Sequence, residues 1–516
     1  MFKRYFIFLA FFPGILHAQS SNETLVRDFN SLYEKYFNKA KCNVHTSIRP
    51  LLSSEVEPYR DSVKEQYQLR WLTKHDTGKV AQNDIGVDPI LMAIPAYDLD
   101  GGKTVLELAG GIHTFGKYKR KLAWNFNFLS GKSTFANYID SSAKYYHLIP
   151  EIGRAYGTSP NYNYQYYSGY VSYSPSKVFN FQVGKDKHFW GDGYRSLFLS
   201  DVSNSYPFAK ITANVWHLKY AVLYAIHKDI TSNTGLKNDD ATKFGVFHYL
   251  DWNISKMINV GLFESVVWQG NDTTRNRNYD VNYLNPVLFF RPVEYSLGSA
   301  DNSLIGGAFK IKASDRQQIY GQLIVDEFYL KEIVKFSGWW ANKQGIQLGF
   351  KDFDLFTLKN LNFQMELNAV RPYTYSHGSV QQNYGHYGQP LAHPLGANFR
   401  EAIGIINYRY KNWLVELKGT TATYGADSLN GKSWGHDIFE SYIDRDHDKK
   451  NYTTQGIKTY VKTAGVRVAY LIDHAMNAEL ELGWMTRSES SSIFSLNTSI
   501  VFFGIKTGIW NSYRDY

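Results

Sequence analysis

Three stretches of the chain gather side chains able to bind a polar ligand, and none keeps a regular period. The first, GKDKHFWGDGYRSLFLSDVSNSYPFAKI at 184–211, brings Lys187, Trp190 and Arg195 together with Lys185, His188, Asp192, Asp201 and Asn204. The second, YLNPVLFFRPVEYSLGSADNSLIGGAFKIK at 283–312, sets Arg291 and Glu294 among apolar neighbours, where they are expected to pair, and places Asp301 after a Gly-Ser-Ala turn. The third, RPYTYSHGSVQQNYGHYGQPLAHPLGANFRE at 371–401, supplies Arg371, Tyr375, His377, Tyr384, His386, Gln389 and Arg400. Tyr and Trp carry flat apolar faces, and Tyr, His, Asn and Gln carry hydrogen-bonding tips. Such side chains suit stacking on pyranose rings and bonding to hydroxyl and acidic groups. The chemistry on offer is recognition of a polyhydroxylated ligand.

Metal patterns are missing from the sequence, which has no H-E-x-x-H pair. WGDG at 190–193 resembles a glycine-rich phosphate loop only weakly, because no helix is expected after it. His377, His386 and His393 lack a fixed ligand spacing, so zinc is not expected. Asp444, Asp446 and Asp448 alternate as at the start of a calcium loop, but Lys449 and Gln455 stand where that loop needs Gly and Glu. A solvated acidic loop is the better reading. Cys42 is the single cysteine, which excludes an intrachain disulfide. No cofactor is implied, and the chain does not read as an enzyme.

The elements that must position these segments follow from patterning. Lys3 and Arg4 precede an apolar run from Tyr5 to Leu16 and then Ala18, the layout of a secretory signal over 1–18. That run falls short of the ~18–20 residues of a spanning helix. Residues 19–88 are expected to form an N-terminal region with helices. Its clearest helix, 22–40, puts Leu25, Phe29, Leu32, Tyr33, Tyr36 and Phe37 on one face. Weaker helical signals cover 53–70 and 133–153.

From about residue 90 the period becomes 2. In NLNFQMELNAV, Leu361, Phe363, Met365 and Leu367 alternate with Asn362, Gln364, Glu366 and Asn368. WHLKYAVLYAI at 216–226 and MNAELELGW at 476–484 behave likewise. Apolar-and-aromatic against amide-and-carboxylate is the pattern of a membrane barrel, with lipid outside and water inside. A soluble sandwich would not explain 40 Tyr, 33 Phe and 12 Trp. The expected fold is therefore an all-β transmembrane antiparallel barrel over 89–516, with roughly 16 or 18 strands. Its last strand is expected in IVFFGIKTGIWNSYRDY, closing on Tyr516. The third segment would then either fold inward as a plug or outward as a sugar-binding loop.

WGDGYRSLFLSDVSNSYPF, NPVLFFRPVEYSLGSADNSLIGGAFK and YGHYGQPLAHPLGANFRE, in this order between about 180 and 410, resemble the Wzi-type capsule-assembly outer-membrane proteins, and most of all their gliding-motility RemB-like branch. Residues 411–516 match only as generic barrel strands. The resemblance implies a barrel with a periplasmic helical bundle, in the outer membrane of a Gram-negative bacterium, whose outer face binds capsular polysaccharide like a lectin. Partners would be surface polysaccharide, outer-membrane lipid and other envelope proteins. A net charge of +9 suggests that the glycan is acidic, while the scatter of Lys and Arg gives no nucleic-acid patch. The alternatives are an outer-membrane channel and a structural component of a secretion or motility complex.

Overall fold

The computed structural model describes residues 22–69, 83–119, 121–230, 240–270, 278–287, 301–427, 431–474 and 476–516. The signal expected over 1–18, Arg291 and Glu294 lie outside the described residues. Among the described residues, eighteen antiparallel strands close into one barrel. In chain order they are β1 (Asn83–Asp98), β2 (Lys103–Tyr118), β3 (Leu122–Ser133), β4 (Asn161–Tyr173), β5 (Phe179–Asp186) and β6 (Tyr206–Val215). Then come β7 (Leu218–Asp229), β8 (Ala241–Asn253), β9 (Ile258–Gln269), β10 (Asn302–Lys312), β11 (Gln317–Glu327) and β12 (Lys343–Phe353). The circuit ends with β13 (Leu361–Val370), β14 (Phe399–Tyr410), β15 (Trp413–Ala426), β16 (Ile457–Asp473), β17 (Ala478–Ser490) and β18 (Ser495–Thr507). Each strand pairs with the next, and β18 pairs back to β1. Closure leaves no sheet edge to face hydrocarbon, where an unpaired backbone group is costly.

The alternation decides which face is which. On β13, Met365 and Leu367 are exposed on the outside, while Glu366 and Asn368 are buried in the lumen. On β17, Leu480 and Leu482 point out and Glu479 and Glu481 point in. No helix among the described residues is long and apolar enough to cross a membrane. One end of the barrel carries tight turns, such as 216–217 and 411–412. The other carries most of the long connections, among them 134–160, 187–205 and 371–398.

Long connections that enter the lumen, together with the two ends of the chain, fill it. Helix α1 (Arg27–Asn38) buries Phe29, Leu32, Tyr33, Tyr36 and Phe37 against Val56, Val63 and Tyr67. Its polar side reaches the barrel wall at the short-turn end, through Lys35–Asp354 at 2.6 Å, Glu34–Lys351 at 2.9 Å and Arg27–Glu416 at 2.6 Å. The 53–70 signal corresponds to a short helix Ser53–Val56, a 3-10 turn and a helix Arg60–Tyr67. Within 133–153 lies a helix Asn137–Tyr146, whose Ile139 and Ala143 pack on the inner wall. Ile48 of the N-terminal region forms a two-residue antiparallel bridge with Trp190 of the 187–205 connection.

The C-terminal residues correct the sequence reading. β18 stops at Thr507, and 508–516 turn back into the lumen, so Tyr516 does not close the barrel. There the tail finds polar partners that hydrocarbon would not offer. Arg514 pairs with Glu107, Asp515 with Arg195, and the Tyr513 hydroxyl donates to Asp201 at 2.7 Å. In place of an apolar–polar strand, the sequence NSYRDY offers groups for an ion-pair network.

Candidate ligand-binding site

The first segment folds inward and forms the centre of the plug. Trp190 is fully buried, 5.9 to 6.4 Å from the rings of Phe247, Tyr249 and Phe263. Gly193 lets the chain pass close to the wall, since a Cβ there would lie 2.5 Å from Glu366 Oε2. That carboxylate accepts the backbone N–H groups of Tyr194 at 2.7 Å and Arg195 at 3.0 Å, and the Tyr320 hydroxyl at 2.8 Å. Arg195 pairs with Asp515 at 2.7 Å and Glu401 at 3.1 Å, and His393 reaches Glu401 at 2.6 Å. Burial by itself would lower the pKa of Arg195, but Asp515 and Glu401 beside it push it well above its ordinary value. Burial would likewise raise Asp515, yet Arg195 and Lys418 hold it below the carboxylate range. Burial also lowers His393, and Glu401 only partly offsets this. The result is a core in which the buried Arg195 guanidinium faces two carboxylates of the chain itself.

Most of the other candidate residues share that fate. Lys187 Nζ donates to the carbonyls of Glu151 at 2.6 Å and Asp201 at 3.1 Å. The hydroxyls of Tyr375 and Tyr384 donate to the carbonyls of Leu197 and Phe198, at 2.8 and 2.6 Å. His386 accepts the Lys228 N–H at 3.0 Å, and Gln389 accepts the Glu151 N–H at 2.9 Å. Asp301 accepts the Tyr283 hydroxyl at 2.7 Å. The inward alternative for 371–401 is thus the one adopted. Trp190, Arg195, Lys187, Tyr375, Tyr384, His386 and Gln389 cannot present a face to a sugar, because packing and hydrogen bonding inside the plug already use those faces. Arg400 points outward from β14 and is exposed. Arg371 and His377 stand nearer the long-loop surface: Arg371 Nε donates to Asn342 O at 2.7 Å, and His377 meets the Tyr442 ring at 5.7 Å.

That Tyr442 contact leads to a second cluster of the same residue types, only half-buried. It forms where 328–342, 371–398 and 431–456 converge at the long-loop end. Trp340 and Tyr442 have ring centroids 4.7 Å apart, with Arg445 Cζ 4.3 Å over Trp340 and Lys343 Nζ 4.3 Å over Tyr442. Tyr373 meets Trp340 edge-on at 6.4 Å, and Trp434 meets His447 at 5.4 Å. Backbone bonds stitch the two outer loops together: Trp340 N–H to Asp448 O at 2.9 Å, and Lys450 N–H to Ser337 O and Asn451 N–H to Gly338 O, both at 2.8 Å. The rings are therefore held in place while Ile443 and Tyr452 beside them stand exposed. Carboxylates ring the cluster. Glu440 is pushed up to about 7, first by burial and then by Asp427, Asp437 and Asp444. Asp444, Asp446 and Asp448 lie on the surface as the acidic loop expected there. The described residues contain no group of three or more metal-ligating side chains. Sequence reasoning passed over Trp339, Trp340, Tyr442, Trp434 and Arg445. The available signal was the Trp-Trp pair of KFSGWWANKQ, which sits between two strands and fits neither of them.

No protein-family model matches the chain, and no curated protein matches it either. Among solved structures it is similar to Wzi of Escherichia coli, with a TM-score of 0.56 and 12% identity, over 95% of this chain and 100% of that one. The fold is that of an outer-membrane β-barrel of Gram-negative bacteria. OccAB2 of Acinetobacter baumannii and OccK1 of Pseudomonas aeruginosa align over 82% of this chain and 97% and 98% of theirs. Their TM-scores are 0.43 and 0.44, at 8% and 10% identity.

Proposed function

We propose that this outer-membrane barrel binds or organises surface polysaccharide at its long-loop end, serving capsule assembly or surface adhesion, including adhesion linked to gliding. The observation that carries the reading is the half-exposed Trp340–Tyr442–Arg445 cluster standing above a filled lumen. Half-buried aromatic rings suit pyranose binding. Short turns of outer-membrane barrels lie on the periplasmic side. The cluster then faces the cell exterior, and the N-terminal helices over 19–88, following the signal over 1–18, face the periplasm. The E. coli Wzi barrel is described as carbohydrate-binding and involved in group 1 capsule assembly, which supports the same role here. The reading assigns no catalytic step and places this chain near the RemB-like branch.

Local charge refines the ligand. Arg445 is paired with Asp448 at 2.6 Å and Lys343 with Glu327 at 3.0 Å, inside a ring of further carboxylates. A neutral glycan segment fits this surface better than the acidic one suggested by the net charge. The test is retention of the protein on immobilised capsular polysaccharide. Trp340→Ala and Tyr442→Ala should weaken retention while heat-modifiable migration stays normal. Unchanged retention in the double variant, or undiminished surface polysaccharide and adhesion in a deletion strain, would overturn the proposal. A plugged lectin should also conduct little in planar bilayers, whereas a steady open-pore current would favour the channel reading.

A further inference from the structure

Polar side chains line much of the lumen, as a wet interior requires, but parts of its wall are apolar, β1 among them. GVDPILMAIPAYDLD at 86–100 is apolar on both faces of its strand. Leu91 and Tyr97 are exposed on the outside, while Ile90 and Met92 are buried on the inside. Behind this wall lies a chamber of ≈240 Å³ lined by apolar Met92, Ile94, Val105, Leu129, Ile139 and Ile500 and also by charged Asp28, Glu107, Arg467, Glu479, Glu481 and Lys506. Trp510 of the C-terminal tail borders it, and so does the Arg27–Glu416 ion pair. An apolar cavity of ~150 Å³ binds benzene, so the apolar part of this larger chamber has room for a length of hydrocarbon.

The same wall contains the seam where the barrel closes. β1 pairs with β18 at only five positions, Met92↔Lys506, Ala93↔Ile505, Ala96↔Phe502, Tyr97↔Val501 and Asp98↔Ile500. The ladder skips Ile94 and Pro95. On its other edge β1 pairs along its whole length, from Asn83↔Tyr118 to Asp98↔Lys103. Pro89 and Pro95 have no N–H to donate, so they lower what β1 can offer a partner. The β4–β5 junction is equally short, but it runs unbroken from Gly169↔Lys185 to Tyr173↔Phe181 and places Ser168, Ser172, Asn180 and Gln182 on its buried face. Only the β1–β18 seam combines an interrupted ladder with apolar surface on both sides.

We propose that the chamber is a binding site for an acyl chain, which enters from the bilayer between β1 and β18. The proposal is independent of polysaccharide binding at the long-loop end. The probes are mid-chain dibrominated stearate and dibrominated phosphatidylcholine vesicles, both of which quench nearby tryptophan. The quenched fraction that disappears in Trp510→Phe reports the chamber, and an exposed tryptophan outside it, Trp413, serves as the internal reference. Ala93→Cys with Ile505→Cys, in a Cys42→Ala background, would lock the seam on oxidation. The expected result is Trp510 quenching in the open protein, at least a several-fold loss on locking, and recovery on reduction. Ala96→Phe, which narrows the chamber without touching the disulfide chemistry, should also weaken it. Quenching by stearate alone identifies a free fatty acid as the source, and quenching by the vesicles identifies a phospholipid tail. Absence of Trp510 quenching with both probes, or equal quenching with the seam locked and open, would overturn the proposal.

Discussion

The Arg195 site and the Arg445 site are built from the same kinds of residue and do different things. At the plug centre Arg195 lies between Asp515 and Glu401, fully buried, near a Trp190 sealed by three other rings. At the long-loop end Arg445 lies over Trp340, and both are half-buried. The first arrangement has every strong partner supplied from within the chain, so it can only hold the plug. The second has half-buried rings fixed by loop-to-loop backbone bonds, which is why the proposed glycan site is put there. Residue type carries the chemistry in both, and burial decides whether that chemistry is turned inward or offered.

The sharpest way to break this comparison is Arg195→Ala. It would leave Glu401 without its guanidinium and Asp515 with Lys418 alone, and breaking a buried pair costs about 3–5 kcal/mol. The expected readout is a large fall in the unfolding temperature, easier proteolysis of the plug and increased bilayer conductance. Trp190→Ala should act in the same direction, because removing a core aromatic costs about 3–5 kcal/mol. In neither variant should polysaccharide affinity fall in protein that remains folded.

A smaller effect is expected from pH. Burial pushes the Glu151 carboxyl up to about 7, against the opposing pull of Arg514 and Lys187 and the N–H groups of Tyr513 and Arg514. Its folded value lies above the ordinary 4.5, so the folded state favours the protonated form. The stabilisation is complete below pH 4.5 and is lost as pH rises through about 7. About 3 kcal/mol of tail anchoring is at stake. The unfolding temperature should fall over that window, and Glu151→Gln should flatten the dependence.

The smallest change in stability belongs to the outer cluster. Trp340→Ala should move the unfolding temperature little, since half-exposed positions are usually within ~0.5 kcal/mol. It should nevertheless weaken glycan binding about tenfold, equivalent to about 1.4 kcal/mol. Glycan titration of the wild type, Trp340→Ala and Arg195→Ala side by side would place the two regions on one scale. If Arg195→Ala alone reduced affinity in folded protein, the roles given to the two sites would be reversed.

Much of this architecture was legible in the residues. The two-residue alternation of Leu361 to Asn368 and of Ala478 to Trp484 requires unlike media on the two faces of one sheet, and the barrel provides them. The 3.6-residue spacing of Phe29, Leu32, Tyr33, Tyr36 and Phe37 marked α1. The ends of elements were less legible. Nothing local in IVFFGIKTGIWNSYRDY says that pairing stops at Thr507, because what ends it is the availability of Arg195, Lys418 and Glu107 within the lumen. The site was least legible of all. Trp190 and Trp340 look alike as letters, and only the closed wall around the first tells them apart.

By itself the sequence determined which faces of the strands are apolar and which are polar, and that a helix covers Phe29 to Phe37. Those properties are local: they depend on the period and type of neighbouring residues. Which aromatic and charged segments enter the lumen was decided only by the tertiary structure. So was the placement of an interrupted seam in front of an apolar chamber. Both depend on contacts between residues hundreds of positions apart, where solvent exclusion, not residue type, sets what a side chain can do.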